Sequence, residues 1–471
     1  QEKGTKNIIF YKGEGKMGKK QFTTTRGERL SYGLYAFGAI LSYYVIMSFL
    51  QLFMTDSGIP AATVGLIFVF AKVWDAVNDP VFGVMVDKVN FKNGKYKPWL
   101  KLASFVIPLT TIFLFIMPSG ASLQVKIIWS AAAYILWDTA YTMYDVPMNA
   151  IVTTMTEQQG ERNKLYSISA FCVYLGGILV AVVVPMLYPA IGWGPAIGIL
   201  GGLCLITMLP LPFIVKERYR GEQKKEASIK EIFMSLIHNK YLLIFTLGSI
   251  MSALTDFGNT LSAYVAVHCL GGEQYITILT LAGTVPVLLI SLFIPKMISR
   301  MEKFRLTIIT RTIALVLYVL IYLTGYENTG VVLVLYVLKS LFAGIGGVTS
   351  IMFVADCVEY GQFVNGERNQ GIAFATKAFT NKVVVALTGA IGMFGLAAIG
   401  FIEGSGVAQS PETIEGLWKL FTLAPLAGGL ISIVIMVVFY KLRDADVKLM
   451  IQCNNGEISK EEATAGFSHQ F

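Results

Sequence analysis

Twelve apolar runs constrain this chain more than any other feature of its sequence. An α-helix rises 1.5 Å per residue, so about 20 apolar residues cross the roughly 30 Å of hydrocarbon in a bilayer. Runs of that length have their cores at 32–54, 62–86, 99–118, 124–152, 165–188, 194–215, 241–268, 275–296, 306–325, 330–358, 371–402 and 416–440. Lipid offers the backbone no hydrogen-bond partners, so each such segment satisfies its own amides as a helix. The expected fold class is an all-α membrane protein with twelve transmembrane helices. Composition agrees: of 471 residues, 55% are hydrophobic and 14% charged, where a soluble domain carries about 25% charged residues.

The net charge of +8 and pI near 9.0 do not point to nucleic acid, because the basic residues alternate with the connections. Lys88, Lys92, Lys95 and Lys97, then Arg162 and Lys164, Lys216 to Lys240, and Arg300, Lys303 and Arg305 lie in every second loop, whereas 55–61, 118–123, 188–194, 269–275, 326–330 and 403–417 contain no Lys or Arg. The positive-inside rule then places both termini in the cytoplasm of a cell-membrane protein. The polar stretch Lys216 to Glu226 separates six runs from six. The expected organisation is an N-terminal arm at 1–28, a six-helix bundle at 29–215, a linker at 216–240, a second bundle at 241–441 and a tail at 442–471. The two tails read as solvated cytoplasmic arms. The first residues, from Gln1, are polar and Lys-rich and carry no pattern of a cleavable signal peptide, so the start is read as trimmed. Cys172, Cys204, Cys269, Cys357 and Cys453 form no CxxC pair, and His238, His268 and His469 are isolated, so neither a disulfide framework nor a resident metal or other cofactor is expected.

Charge inside the second run carries the functional argument. Lys72, Asp75 and Asp79 follow helical spacing and share one face with Asn78. Charges are costly in lipid, so this face turns to other helices or a cavity, where two carboxylates and an amide suit a monovalent cation or a proton. The fourth run adds Asp138, Tyr141 and Asp145, of which Asp145 is the better candidate: a carboxylate among aromatic rings suits a sugar, accepting hydroxyls while rings cover the pyranose. Near the cytoplasmic end of the tenth run, Asp356 and Glu359 stand before Arg368, and pairing with that arginine or another loop base would make a gate, with helix capping the alternative. The eleventh run holds Lys377 and Lys382. No nucleophile, base and orienting group occur together, so an enzyme is not expected.

Several of these blocks together resemble a known family. Trp74-Asp75-Ala76-Val77-Asn78-Asp79-Pro80, then Gly83, Asp87 and Gly94-Lys95-Tyr96-Lys97-Pro98-Trp99, resembles the signature of the glycoside-pentoside-hexuronide:cation symporters, the melibiose-permease-like branch of the major facilitator superfamily. Asp145-Val146-Pro147 with Glu161-Arg162, Ala355 to Gly361 with Gly366-Glu367-Arg368, and Lys382 agree in order, so the likeness covers residues 28–440. It implies two six-helix bundles and transport by alternating access. It also implies a coupling-cation site at Asp75, Asn78, Asp79 and Thr142, with Asp75 and Asp79 as sodium ligands if the ion is not a proton, and a sugar site at or beside Asp145 and Lys382. The pattern's first-helix aspartate falls at Ile40 and its preceding lysine at Ala39, an aromatic becomes Asn149, and a fifth-span arginine becomes Ala170.

The expected function is import of a sugar or glycoside by symport with sodium or a proton, in a chain that acts as a monomer in the lipid bilayer. Asp145, Asn149, Tyr141, Lys377 and Lys382 are the substrate candidates. Neutral glycosides are expected ahead of hexuronides, because Lys377, nine residues after Arg368, is expected to reach the cytoplasmic surface. Facing the cavity instead, it would favour an acidic sugar. A lysolipid symporter is the alternative from another class and would need an amphiphile-sized apolar pocket beside the cation site. A non-transporting sensor would not need the cation site at all.

Overall fold

The computed structural model describes residues 23–89, 91, 94–118, 120–219, 229–254, 256–366 and 368–469. All regular structure among them is helical. The first five runs are single helices: α1 (Arg26–Asp56), α2 (Ala61–Lys88), α3 (Lys97–Phe115), α4 (Leu123–Met155) and α5 (Gln159–Ile191). The sixth run is divided at Leu209 into α6 (Trp193–Met208) and α7 (Pro210–Ile214). An amphipathic α8 (Ile229–His238) precedes a divided seventh run, α9 (Lys240–Leu254) and α10 (Gly258–His268). The remaining runs are α11 (Gln274–Ser291) with α12 (Ile294–Ile298), α13 (Lys303–Thr324), α14 (Thr329–Asn365), α15 (Gln370–Ala398), and α16 (Pro411–Thr422) with α17 (Ala424–Phe439). Two short helices close the chain, α18 (Asp444–Asn454) and α19 (Lys460–Ala465). The interruptions follow local chemistry: Pro210 and Pro425 each stand at the start of a new segment, where a missing N–H and fixed φ cost least.

Close approach between helices is set by small residues. A Cβ built on Gly38 of α1 would fall 2.4 Å from Thr207 Oγ1 and 2.9 Å from the Cys204 carbonyl of α6, so only glycine allows this crossing. Buried polar pairs add direction to the packing. The Trp137 indole donates to Ser42 (2.8 Å) and Thr111 (3.2 Å), tying α4 to α1 and α3. Leu109, Phe171 and Leu323 are exposed apolar side chains on the outer surface, the face a bilayer covers.

The two halves meet along α2 with α15, α5 with α11, and α1 with α10. Most of the hydrogen bonds that cross between them cluster at one end. Thr55 and Tyr264 hydroxyls are 2.9 Å apart, the Ala61 amide donates to Glu403 (2.7 Å), and Gly404 and Ser405 donate to the carbonyls of Thr55 (3.0 Å) and Asp56 (3.1 Å). That end carries the connections expected outside the cell. At the other end each half is braced within itself. Glu28 caps α1 through Thr25 and takes both nitrogens of Arg218, at 2.8 and 2.9 Å, which holds the arginine's pKa above its usual value.

The tail departs from its expected character. Residues 442–469 are not a solvated arm: α18 packs on α14, Asn454 donates to the Glu359 carbonyl (3.0 Å), and Phe467 meets Phe363 at 5.4 Å. Charge-rich composition hid the few apolar residues, Val447 and Met450 among them, that bury on docking. The expected arm at 1–22 and the linker segment 220–228 lie outside the described residues.

Candidate functional site

Helix α2 brings its polar face against α4 and α15. The Asn78 amide donates to Thr142 Oγ1 (2.8 Å), and the Thr142 hydroxyl lies 3.0 Å from Asp79 Oδ1, so these three expected cation ligands form one connected set. The other carboxylate oxygen of Asp79 accepts from Lys382 of α15. This ion pair joins the two halves. Asp75 is drawn elsewhere: Lys72 lies between Asp75 (3.4 Å) and Asp138 (3.5 Å). Helical spacing therefore placed the residues on one face, but their partners divide that face into two ion-pair centres. Asp138 Oδ2 is buried and has no hydrogen-bond partner among the described residues.

The expected sugar residues occupy a neighbouring surface. Asn149 donates to the carbonyl (2.9 Å) and carboxylate (3.2 Å) of Asp145, one helical turn earlier. Tyr141 stacks on Trp137 (5.2 Å) and meets Tyr43 (5.4 Å) tilted and Tyr144 (5.0 Å) edge-on. Where the family pattern has an aspartate, Ile40 packs against Gly176 of α5, and a Cβ there would stand 2.5 Å from its methyl. That position is a packing contact here.

A cavity of about 820 Å³ lies between the halves, and its charged lining is Lys72, Asp256, Arg311, Lys339 and Lys377. Lys377 thus faces the cavity instead of reaching the loop surface. Arg311 and Lys339 were missed in the sequence, although each is a lone cation within an apolar run, a signal that marks function in a membrane span. Lys339 donates to the Tyr318 hydroxyl (3.2 Å) and lies over the rings of Tyr336 (4.1 Å) and Tyr318 (4.8 Å).

The expected gate residues pair differently from one another. Arg368 meets Glu359 at 2.6 Å, as a loop base was expected to do. Asp356 pairs with another base of a cytoplasmic-side connection, Lys303, which also reaches Asp444 (3.1 Å). All of these groups belong to the C-terminal half, so in this conformation they brace one half and bridge nothing. Among the described residues no group of three His, Cys, Asp or Glu side chains could hold a metal ion.

A family profile of MFS/sugar transport proteins matches residues 31–444. The chain belongs to this glycoside-pentoside-hexuronide:cation symporter family. Curated relatives include an uncharacterized symporter, YnaJ, of Bacillus subtilis, 26% identical over 90% of this chain and 94% of that protein. A putative glycoside/cation symporter, YagG, of Escherichia coli is 26% identical over 94% and 98% of the two chains. The isoprimeverose transporter of Lactiplantibacillus pentosus is 26% identical over 90% of each. The crystal structure of the nucleoside transporter NupG superposes with a TM-score of 0.63 at 14% identity, covering 87% of this chain and 99% of that one. At that identity the likeness shows the fold: the major facilitator arrangement. This symporter is a multi-pass membrane transporter and not an enzyme.

Proposed function

We propose that the protein imports a sugar or glycoside across the cell membrane by alternating access, driven by sodium or a proton bound at Asn78, Asp79 and Thr142. The observation that carries this reading is the ion pair between Asp79 and Lys382, because it places the candidate cation carboxylate under a lysine from the opposite half. A cation and Lys382 compete for one negative charge. When the ion binds, the lysine is released toward Asp75 and Asp145, the other carboxylates whose fields it feels. The tie between halves then passes from a protein ion pair to bound ion and substrate, and the loaded carrier is the form free to rock.

Asp145 and Asn149 hold substrate hydroxyls in this scheme, Tyr141 and its aromatic neighbours lie against the sugar ring, and Lys377 reaches the sugar from the opposite half. Lys303–Asp356 and Glu359–Arg368 then act as the cytoplasmic braces that rearrange when that end closes. Both termini are cytoplasmic, the end held by Tyr264 and Glu403 faces outward, and a single chain suffices. Relatives named for glycosides and for isoprimeverose support a sugar as cargo. Five charged residues line the cavity, which disfavours a lysolipid tail.

The test is uptake by membrane vesicles carrying Asp79→Asn. Accumulation against a gradient is abolished, while downhill flux or exchange of the same sugar persists. Wild-type accumulation in the variant overturns the assignment of Asp79.

A further inference from the structure

We propose that α8 is a lipid-binding strap at the cytoplasmic end of the C-terminal half: Phe233, Met234 and Ile237 enter the acyl region of the inner leaflet, and Lys230 and Lys240 pair with headgroups of anionic phospholipid. The symport reading enters only in saying which end faces the cytoplasm. The pattern of exposure along α8 carries the inference. Phe233 is 64% exposed, Met234 44% and Ile237 61%. At 3.6 residues per turn these three and Lys230 fall within an arc of about 100°. The outward face is therefore one apolar stripe with an exposed lysine in it. Another flank is already in use: Leu236 packs against the core of the C-terminal half, and α8 rests on α15. A helix that still shows a contiguous apolar stripe after docking has a second apolar surface to meet.

The position of α8 in the chain says what that surface is. One residue, Asn239, separates it from α9, where the seventh span begins. Its ten residues thus lie within about 15 Å of the start of a span. The junction is fixed: the Asn239 amide donates to the Cys357 carbonyl of α14 (2.6 Å), its side-chain oxygen accepts from the Leu242 amide (3.0 Å), and Asn365 donates to the His238 carbonyl (3.3 Å). These contacts hold α8 to the C-terminal half beside the cytoplasmic end of α14. Past the junction, exposed Leu243 and Leu247 of α9 continue the apolar surface toward the bilayer. A helix at this level with aromatic and aliphatic side chains on one face rests between headgroups and acyl chains. Lys230 and Lys240, both exposed and flanking the stripe, lay their stems on apolar surface and lift their ammonium groups to the phosphates. Anionic lipid near such a lysine is enriched about fivefold.

The experiment places an indole on the stripe, Phe233→Trp, in the full chain reconstituted in vesicles, and reads the emission it adds to that of the parent. Lipid brominated near the headgroup end of the acyl chain quenches the added emission more than lipid brominated near the chain end, and iodide in the water leaves it bright. In vesicles of equal parts phosphatidylglycerol and phosphatidylcholine, brominating the first quenches more than brominating the second, as a local enrichment of about fivefold or more requires. Lys230→Gln with Lys240→Gln brings the two close together. Ile237→Trp is read alongside, so the result does not depend on one variant folding. Quenching by iodide without quenching by lipid means an open face and overturns the proposal. An indole shielded from both is covered by protein, either a second copy or another segment of this chain, and overturns it too. Equal quenching by the two brominated lipids before any lysine is replaced overturns the assignment of anionic lipid. None of these readouts uses transport, so failure of the symport reading leaves them as they stand.

Discussion

Replacing Lys382 by Gln separates the two partners of Asp79 and gives the coupling site a number. The lysine and the coupling ion compete for one carboxylate, so deleting the lysine should tighten ion binding. Two unit charges about 4 Å apart attract by about 4 kcal/mol at an effective dielectric near 20. The Lys382 side chain is 50% exposed and that of Asp79 26%, and solvent reduces such pairs to about 1 kcal/mol or less at a surface. Partial burial places the pair at about 1–2 kcal/mol, a factor of about 5–30 in affinity. Thr142 and Asn78 remain to hold the ion, since neither depends on Lys382 for its hydrogen bond. The assay is thermal stabilisation of the purified protein titrated with sodium at constant ionic strength, because a ligand bound only by the folded form raises its apparent stability. Wild type and Lys382→Gln should give curves displaced by that factor, with the variant responding at lower sodium. If a proton is the coupling ion, sodium is inert in both, and the displacement appears in the pH dependence of uptake. Identical or weaker ion affinity in a folded variant, in both titrations, refutes the competition.

Two further outcomes follow from contacts already described. Asp145→Ala should lower sugar affinity by about tenfold or more while leaving the ion response intact, and unchanged binding in the same titration would make Asp145 a structural residue. Glu28→Ala strips Arg218, the Lys216 amide and the Thr25 amide of one shared acceptor. Because Arg218 is partly solvated, the loss should be about 2–3 kcal/mol, below that of a fully buried pair, read as a lowered midpoint in thermal unfolding with sugar affinity unchanged.

The positions of the spans were legible because lipid imposes one solution on any long apolar run. The interruptions were not. Hydropathy is summed over a window and does not see whether each amide meets the carbonyl four residues back, so the divisions at Leu209, after Leu254, at 292–293 and at Leu423 went unread. The site shows the same limit. Spacing on one helix placed Lys72, Asp75, Asn78 and Asp79 on a common face, but it cannot say that Lys72 shares itself with Asp138 or that Asp79 turns to Lys382, 303 residues later. Arg311 and Lys339 needed no structure to be noticed as lone cations. What the fold adds is that they line the same cavity, and that tyrosines hold Lys339 and Ser432 holds Arg311 (2.9 Å).

The interruption between α9 and α10 has a consequence for what fills the cavity before any sugar arrives. Beyond Leu254 the regular ladder of α9 gives way to other donors, and the Asp256 amide donates to the Ala253 carbonyl (3.1 Å). Thr388 donates to the Ala253 carbonyl (3.0 Å), and the Asp256 carboxylate accepts from the Gly258 amide (3.2 Å). Ser252, Ala253, Asp256 and Gly258 all line the cavity, so the polar groups of this interruption face a space that water can enter and not hydrocarbon. A sugar entering there leaves one hydrated place for another. Its hydroxyls exchange solvent for the polar groups of the wall, so entry does not carry the far larger cost of dissolving a polar molecule in oil.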